Sequence, residues 1–274
     1  MRVDSHQHFW NYDANKHSWI SDDMQVLRSD FLPQNLLPHL QKNGLDGCVA
    51  VQADQSDDET KFLLSLASEH LIIKGVVGWV DLKSDNLAEQ LETYKEEKKL
   101  KGFRHIVQDE PDGFMTDPTF VQGVKTLAGF GYTYDILIFH NQLPEALQFV
   151  EQLPKMKLVI DHCAKPDIKN GEFDQWKSNI EKLALHDHVF IKISGLVTEA
   201  NWSDWKAEHF KKYIDVVINA FGEDRIMFGS DWPVCQLAAS YDQVMEIASK
   251  STEHLTPAQL DKFFGTNASK FYNL

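Results

Sequence analysis

The residues able to do chemistry begin at the fourth position. In VDSHQHFW, residues 3–10, Asp4, His6 and His8 alternate with Val3, Ser5, Gln7 and Phe9. Side chains alternate along a β-strand, so the two sets are expected on opposite faces. Two imidazoles two positions apart on one face can grip one metal ion or polarise one carbonyl oxygen. The same spacing also suits histidines that cap a loop or satisfy a backbone carbonyl.

Later β-rich runs end in similar groups. Gln52 and Asp54 come first, then Trp79 and Asp81, then Arg104, His105 and Gln108, then Asp135 and His140. Asp161, His162 and Lys165 follow, then Ser194 and Glu199, then Ser230, Asp231 and Trp232. Together they offer imidazoles to polarise an oxygen, carboxylates to activate water and an arginine to hold an oxyanion or hydroxyl, a set suited to hydrolysis. GxSxG is absent and Ser230 in GSDW lacks the second glycine, so water is the expected nucleophile.

These groups need elements to position them. Eight β-rich runs are spaced along the chain: RVDSHQHF from Arg2, DGCVAVQA from Asp46, IIKGVVGWVDL from Ile72, LKGFRHIVQ from Leu100, GYTYDILIF from Gly131, KLVIDHCA from Lys157, HVFIKISGL from His188 and RIMFGSDWPV from Arg225. Between them lie amphipathic stretches such as NLAEQLETYKEEKKL, LPEALQFVEQL and FKKYIDVVINAFG, with apolar residues recurring at three and four. This alternation predicts an α/β fold, a (β/α)8 TIM barrel forming a single domain over residues 1–274, whose active site lies at the C-terminal ends of the strands. An open doubly wound sheet would alternate similarly, but no Gly-rich phosphate turn follows an early strand. Residues 11–35 are expected to be a loop over the barrel mouth, with VTEANWSDWK a second insertion after strand seven. The stripe Leu143, Leu147 and Val150 reads as helix packing, and KEEKKLK, residues 95–101, as solvated helix surface.

The net charge of −14, from 27 basic and 41 acidic residues, repels phosphate backbones and argues against a nucleic-acid partner, favouring a neutral or cationic small molecule. Cys48, Cys163 and Cys235 are far apart, suggesting neither a disulfide framework nor a zinc knuckle. No run of about 18 apolar residues occurs and the first residues do not form a basic-then-apolar leader, so a cytoplasmic protein without membrane contact is expected. No helical stripe marks an oligomer interface.

DSHQHFW, GFRHIVQDEP, IDHCAKPD, KISGLVTEA and RIMFGSDWPV, in this order over nearly the whole chain, resemble the amidohydrolase superfamily. Within it the sequence is similar to the sugar-lactone hydrolases of the L-fuconolactonase and L-rhamnonolactonase type, which serve the oxidative breakdown of deoxysugars such as L-fucose. The resemblance implies that His6 and His8 are the strand-one HxH pair, His162 the strand-six histidine and Asp231 the strand-eight aspartate. It matches Glu199 to a carboxylate of the SGLVTE motif, and Arg104 and His105 to a GxRH pair that holds the substrate. Strand four offers no bridging lysine or glutamate, so a two-metal centre is not expected. His6 and His8 with Glu199 or Asp231 suit one divalent ion, zinc first, while the branch also contains metal-independent enzymes, so no cofactor is obligatory.

The expected reaction has Asp231 taking a proton from water as it attacks the lactone carbonyl, with His6, His8, His162 or a metal stabilising the oxyanion. Gln52, Asp81, Arg104, His105 and Asp135 are candidates to bind sugar hydroxyls, and Trp10, Trp79 and Trp232 to face the ring. The alternatives are that these tryptophans pack, that Asp81 and Asp135 cap helices, and that Lys165 pairs with Asp161 to fix its loop. The competing functions are a decarboxylase or hydratase of a small carboxylic acid on the same scaffold, and a non-catalytic binding barrel.

Overall fold

Strand and helix alternate as the sequence predicts in the computed structural model, which describes residues 1–274. The first half runs β1 (Val3–Gln7), α1 (Pro33–Lys42), β2 (Gly47–Val51), α2 (Asp57–Glu69), β3 (Ile73–Gly78), α3 (Leu87–Thr93), β4 (Leu100–Ile106) and α4 (Pro118–Phe130). The second continues through β5 (Thr133–Leu137), α5 (Leu143–Gln152), β6 (Leu158–Ile160), α6 (Asp174–Leu183), β7 (Val189–Ile193), α7 (Ala207–Phe221), β8 (Ile226–Phe228) and α8 (Tyr241–Ser251), and ends with α9 (Pro257–Asp261) and α10 (Asn267–Tyr272). Local chemistry marks the boundaries. Ser56 and Ser240 cap α2 and α8 through their side chains, and Asp117 followed by Pro118 starts α4.

The strands pair in parallel in chain order, β1 to β8. Closure comes just beyond β8. A parallel bridge joins Gln7 to Trp232, with His8 N donating to Trp232 O at 2.7 Å and Asp231 N donating to His6 O at 2.8 Å. The contact that seals the barrel therefore sets the His-x-His segment beside Asp231.

Several local expectations are corrected. Asp4 does not share a face with His6 and His8. Asp4 pairs with Cys48 and Gln7 with Ala50, so β1 carries one extra residue between them, a β-bulge. The bulge turns Asp4 outward, where its carboxylate accepts from the backbone of His6 (3.1 Å) and Ser230 (2.9 Å) and from the Tyr241 hydroxyl (3.0 Å). It is a brace between β1, the segment after β8 and α8. β6 and β8 are also shorter than the expected runs KLVIDHCA and RIMFGSDWPV, leaving His162 and Asp231 in the segments that follow. α3 ends at Thr93, so KEEKK, residues 95–99, falls in a turn and the last two residues of KEEKKLK open β4. The segment 11–35 contains a 3-10 turn at Asp22–Leu27, and its last residues already belong to α1.

Apolar packing divides into two regions. The larger lies between barrel and helices and includes Leu143 and Val150. The smaller fills the barrel floor, where Val3, Val49, Val51, Val77, Val159 and Met227 meet Ala268, Phe271 and Tyr272 of α10. The C-terminal helix thus plugs the end of the barrel opposite the mouth. The three cysteines are buried and unpaired, and no helix is long and apolar enough to cross a membrane.

Phe271 is 1% exposed in that plug, whereas Leu71 and Leu185 are 87% and 83% exposed. Phe271→Ala is expected to destabilise the fold by about 3–5 kcal/mol, and Leu71→Ala or Leu185→Ala by less than about 0.5 kcal/mol. Urea unfolding of the three variants measures the difference.

Candidate active site

Above the valine floor the barrel interior becomes charged, where such barrels are usually filled by branched apolar residues. Lys192 of β7 is fully buried, with Nζ 2.5 Å from Asp135 Oδ2, 2.9 Å from Asp161 Oδ1 and 3.1 Å from His6 Nδ1. Arg104 of β4 donates to Asp161 Oδ2 (3.1 Å) and reaches His6 Nε2 (3.3 Å). Tyr272 donates to Asp135 from below at 2.7 Å. Two cations thus face two carboxylates in direct contact, an arrangement that holds only when both signs are present and well bonded. Burial alone would raise Asp161, but Lys192, His6 and Arg104 hold its carboxyl well below the usual range. Burial pushes Asp135 up to about 6 against the pull of Lys192.

His6 couples this layer to the mouth. Its Nδ1 lies 3.2 Å from Asp161 Oδ1, and burial followed by the field of Lys192 keeps its imidazole well below the ordinary histidine range, hence neutral. At the next level the Nε2 atoms of His8, His162 and His6 lie 3.4, 3.8 and 4.0 Å from one atom, Asp231 Oδ1. His162, also depressed by burial, has its Nδ1 2.9 Å from Ser194 Oγ. The Val51 carbonyl, 2.8 Å from His8 Nδ1, can only accept, so it fixes the His8 proton on Nδ1. The His8 Nε2 lone pair then faces a carboxylate oxygen, and two facing acceptors call for a shared proton or a cation. Ligand atoms of His6, His8 and Asp231 lie within 4.8 Å of one another, as do those of His6, Asp161 and His162, so the donors fit one ion bound by imidazole and carboxylate.

The backbone is strained to achieve this. His162, Cys163, Ala164 and Lys165 have φ of 53, 53, 57 and 44°, and Asp231 has φ of 58°. Left-handed backbone costs roughly 1–2 kcal/mol per non-glycine residue, and such strain persists where surroundings impose it, commonly at functional sites. Two glycines make room: a Cβ on Gly195 would come within 2.5 Å of His162 Nδ1, and one on Gly229 within 2.6 Å of His6 Cβ. The SG of KISG and the FG of FGSDW are thus packing requirements of the two histidines.

Over these groups opens a cavity of about 370 Å3. His8, His162, Arg104 and Asp231 line its depth, Lys165, Glu199 and Gln108 its sides, and Trp10, Trp19, Met24 and Trp202 its upper walls. Both insertions expected over the mouth therefore contribute to it.

The structure brings His6, His8, His162, Asp231 and Arg104 together and moves other candidates away. Glu199 does not join the His6, His8 and Asp231 group. It lies on the cavity wall 3.9 Å from Lys165, and burial raises its carboxyl, offset in part by that lysine. Gln52 is fully buried and holds Arg104: its side-chain amide donates to the Arg104 backbone carbonyl (3.2 Å), while its backbone carbonyl accepts from the guanidinium. Asp135 lies beneath the site, already bonded to Lys192 and Tyr272, and cannot meet a substrate. His105 points outward to Glu110 (2.8 Å) and stacks on Phe114, with Trp79 donating to it at 3.4 Å. Asp81 is exposed and accepts from Lys83 N, as a turn-forming residue does. Trp232 is 1% exposed and packs on Phe9 and Phe31.

Three contributors escaped the sequence reading. Lys192 carried a signal, a lysine inside the apolar strand VFIKI. Trp19 and Trp202 lay in the two insertions, where no periodicity states which way a ring points. Lys165 was expected to pair with Asp161, but the left-handed turn carries it toward Glu199.

A closed parallel barrel whose first-strand His-x-His pair meets an aspartate after the eighth strand defines an amidohydrolase-type site. The chain belongs to the amidohydrolase family, whose sequence profile matches residues 3–274. It is 42% identical over 290 residues to the L-fucono-1,5-lactonase of Burkholderia multivorans, covering 100% of this chain and 96% of that protein. It is 33% identical over 279 residues to the L-fucono-1,5-lactonase of Burkholderia ambifaria, again covering 100% and 96%. A crystal structure of a Burkholderia multivorans amidohydrolase with bound zinc superposes with a TM-score of 0.96 at 42% identity, covering 100% of this chain and 99% of that one.

The charged layer makes a direct prediction. Lys192→Met leaves two buried carboxylates sharing less positive charge and should destabilise the protein by about 3–5 kcal/mol. Adding Asp135→Asn should restore part of that. Urea unfolding of the single and double variants checks it, and a loss below about 1 kcal/mol for the single variant would contradict the role given to the ammonium.

Proposed function

We propose that this protein is a lactonase that opens a sugar lactone of the L-fuconolactone type to the aldonic acid, with water as the nucleophile. The observation that carries the proposal is the convergence of three imidazole Nε2 atoms on one oxygen of Asp231, at 3.4 to 4.0 Å, on the floor of a cavity large enough for one sugar ring. Full-length similarity to two L-fucono-1,5-lactonases supports the substrate class.

Asp231 is the general base: it takes a proton from water as the oxygen attacks the lactone carbonyl carbon, and it returns the proton to the ring oxygen as the C–O bond breaks. His162, neutral and oriented by Ser194, is placed to donate from Nε2 to the developing oxyanion. Arg104 adds positive potential from below, held by Gln52 and Asp161. His6 transmits the geometry of the charged layer and keeps Arg104 in place. No side chain need form an ester, since a lactone is already an activated acyl group.

His8 and Asp231, with His6, would hold a divalent ion, and zinc suits these donors, as the zinc-bound Burkholderia multivorans structure supports. When bound, it supplies Lewis-acid polarisation of the carbonyl and lowers the pKa of bound water.

The test is an acid-release assay on a panel of L- and D-aldonolactones. Wild type should open L-fuconolactone, and Asp231→Asn, with unchanged circular dichroism, should lose about 10^2–10^4-fold in kcat. Near wild-type turnover by that variant would remove Asp231 as base. Inactivity on every lactone, with release of CO2 from a small aromatic acid, would replace the lactonase reading by the decarboxylase one. Zinc added to chelator-treated protein should raise its melting temperature, and this rise should vanish in His8→Ala.

A further inference from the structure

One pair of charges in the cavity takes no part in the proposed chemistry. Lys165 ends the left-handed turn after β6. Its amide donates to the His162 carbonyl at 2.8 Å, its carbonyl accepts from His140 Nδ1 at 3.1 Å, and its Nζ sits 5.2 Å over the Phe139 ring. The residue is therefore anchored through its backbone, and its ammonium is set over one aromatic face. Glu199 ends a 3-10 turn, Leu196–Glu199, that Thr198 Oγ1 ties to the Gly195 carbonyl at 2.7 Å. Lys169 N donates to the Glu199 carbonyl at 3.1 Å, stapling the two loops together, and Trp202 donates from its indole to the Thr198 carbonyl at 2.9 Å.

These anchors hold two opposite charges close without letting them meet. Lys165 Nζ and Glu199 Oε1 are 3.9 Å apart, with side chains only 18% and 17% exposed. That distance exceeds a hydrogen bond, and the one donor within reach of Glu199 Oε1 is the neutral Thr198 hydroxyl at 3.3 Å, so the ammonium and the remaining acceptor positions of the carboxylate face a cavity they share with His8, His162 and Asp231. Such a pair is matched by a group that donates and accepts at once. A hydroxyl does both, and two adjacent hydroxyls on a ring can place one oxygen near the ammonium and one O–H on the carboxylate. A carboxylate or phosphate would satisfy Lys165 but be repelled by Glu199 and by Asp231, in a chain of net charge −14. The Trp202 ring on the same loop offers the apolar surface beside such a diol.

We propose that Lys165 and Glu199 form a clamp that reads two adjacent hydroxyls of the bound ring and so sets specificity for neutral, hydroxylated lactones over unsubstituted or anionic ones. This rests on the lactonase reading for the identity of the reacting bond. Charge-assisted hydrogen bonds to partly buried hydroxyls discriminate strongly, because a ligand lacking them removes water from the ammonium and the carboxylate without replacing the hydrogen bonds that water made.

The experiment compares wild type, Lys165→Met, Lys165→Arg and Glu199→Gln on L-fuconolactone and on unsubstituted δ-valerolactone, alongside calorimetric binding of L-fucose, a neutral ring with no lactone bond. The ratio of kcat/KM for the hydroxylated over the unsubstituted lactone should fall at least about 10-fold in Lys165→Met and Glu199→Gln. The loss should lie mainly in KM, and Lys165→Arg should keep part of the discrimination. L-fucose should bind wild type and be lost from the same two variants. An unchanged ratio, or proportional losses on both lactones, would overturn the clamp, since the pair would then serve only the chemistry or the fold. Equal binding of L-fucose by wild type and both variants would overturn it whatever the turnover. If wild type opened no lactone yet bound L-fucose through these two residues, the lactonase reading would fall and the clamp would stand.

Discussion

Two carboxylates, an ammonium and a guanidinium share the dry interior of the barrel, and the position of the reactive groups follows from how they must be satisfied. Lys192 has to reach both Asp135 and Asp161, Arg104 has to reach Asp161 while being held by Gln52, and both cations also contact His6. The imidazole therefore sits at one height and in one orientation. Any movement of β1, β4, β5, β6 or β7 relative to the others would leave a buried charge without its partner, at a cost of several kcal/mol. The layer acts as a ruler for the strands, and the apolar floor closed by Phe271 and Tyr272 keeps water from weakening it.

The mouth is built on that ruler by strain and by closure. β6 and β8 stop early, and the chain then turns left-handed at His162 and again at Asp231, carrying both side chains over His6. The hydrogen bonds between residues 6–8 and 231–232 that close the barrel also fix the distance between His8 and Asp231. Stability and site geometry are here the same contacts, which is why two glycines, Gly195 and Gly229, leave space where a methyl group would displace a histidine.

The fold was legible because short β-rich apolar runs and period-three-to-four stripes alternate along the chain, and both signals come from local geometry. The centre of the site was legible for a related reason: the active site of such a barrel lies at the C-terminal ends of the strands, where His6, His8, His162 and Asp231 fall. Legibility failed where direction depends on neighbours. Asp4 looked like a third member of the His-x-His face, and only the pairing with β2 exposes the bulge that turns it away. His105 and Trp79 sit at strand ends but face the helices, where Glu110 and Phe114 receive them. Asp135 faces inward as expected, but too deep to meet a ligand. Lys165 was given the wrong partner, Asp161 in place of Glu199, because a run of left-handed residues carries no sequence mark when none of them is glycine.

The central claim is that water, activated by Asp231, attacks the carbonyl carbon directly. A single turnover of L-fuconolactone with enzyme in excess, run in water enriched in oxygen-18 and read by mass spectrometry of the product, tests it most directly. One labelled oxygen is expected in the product carboxylate in the first turnover and none in the released hydroxyl. Label in the released hydroxyl, or a first-turnover carboxylate whose oxygen came from the protein, would contradict it.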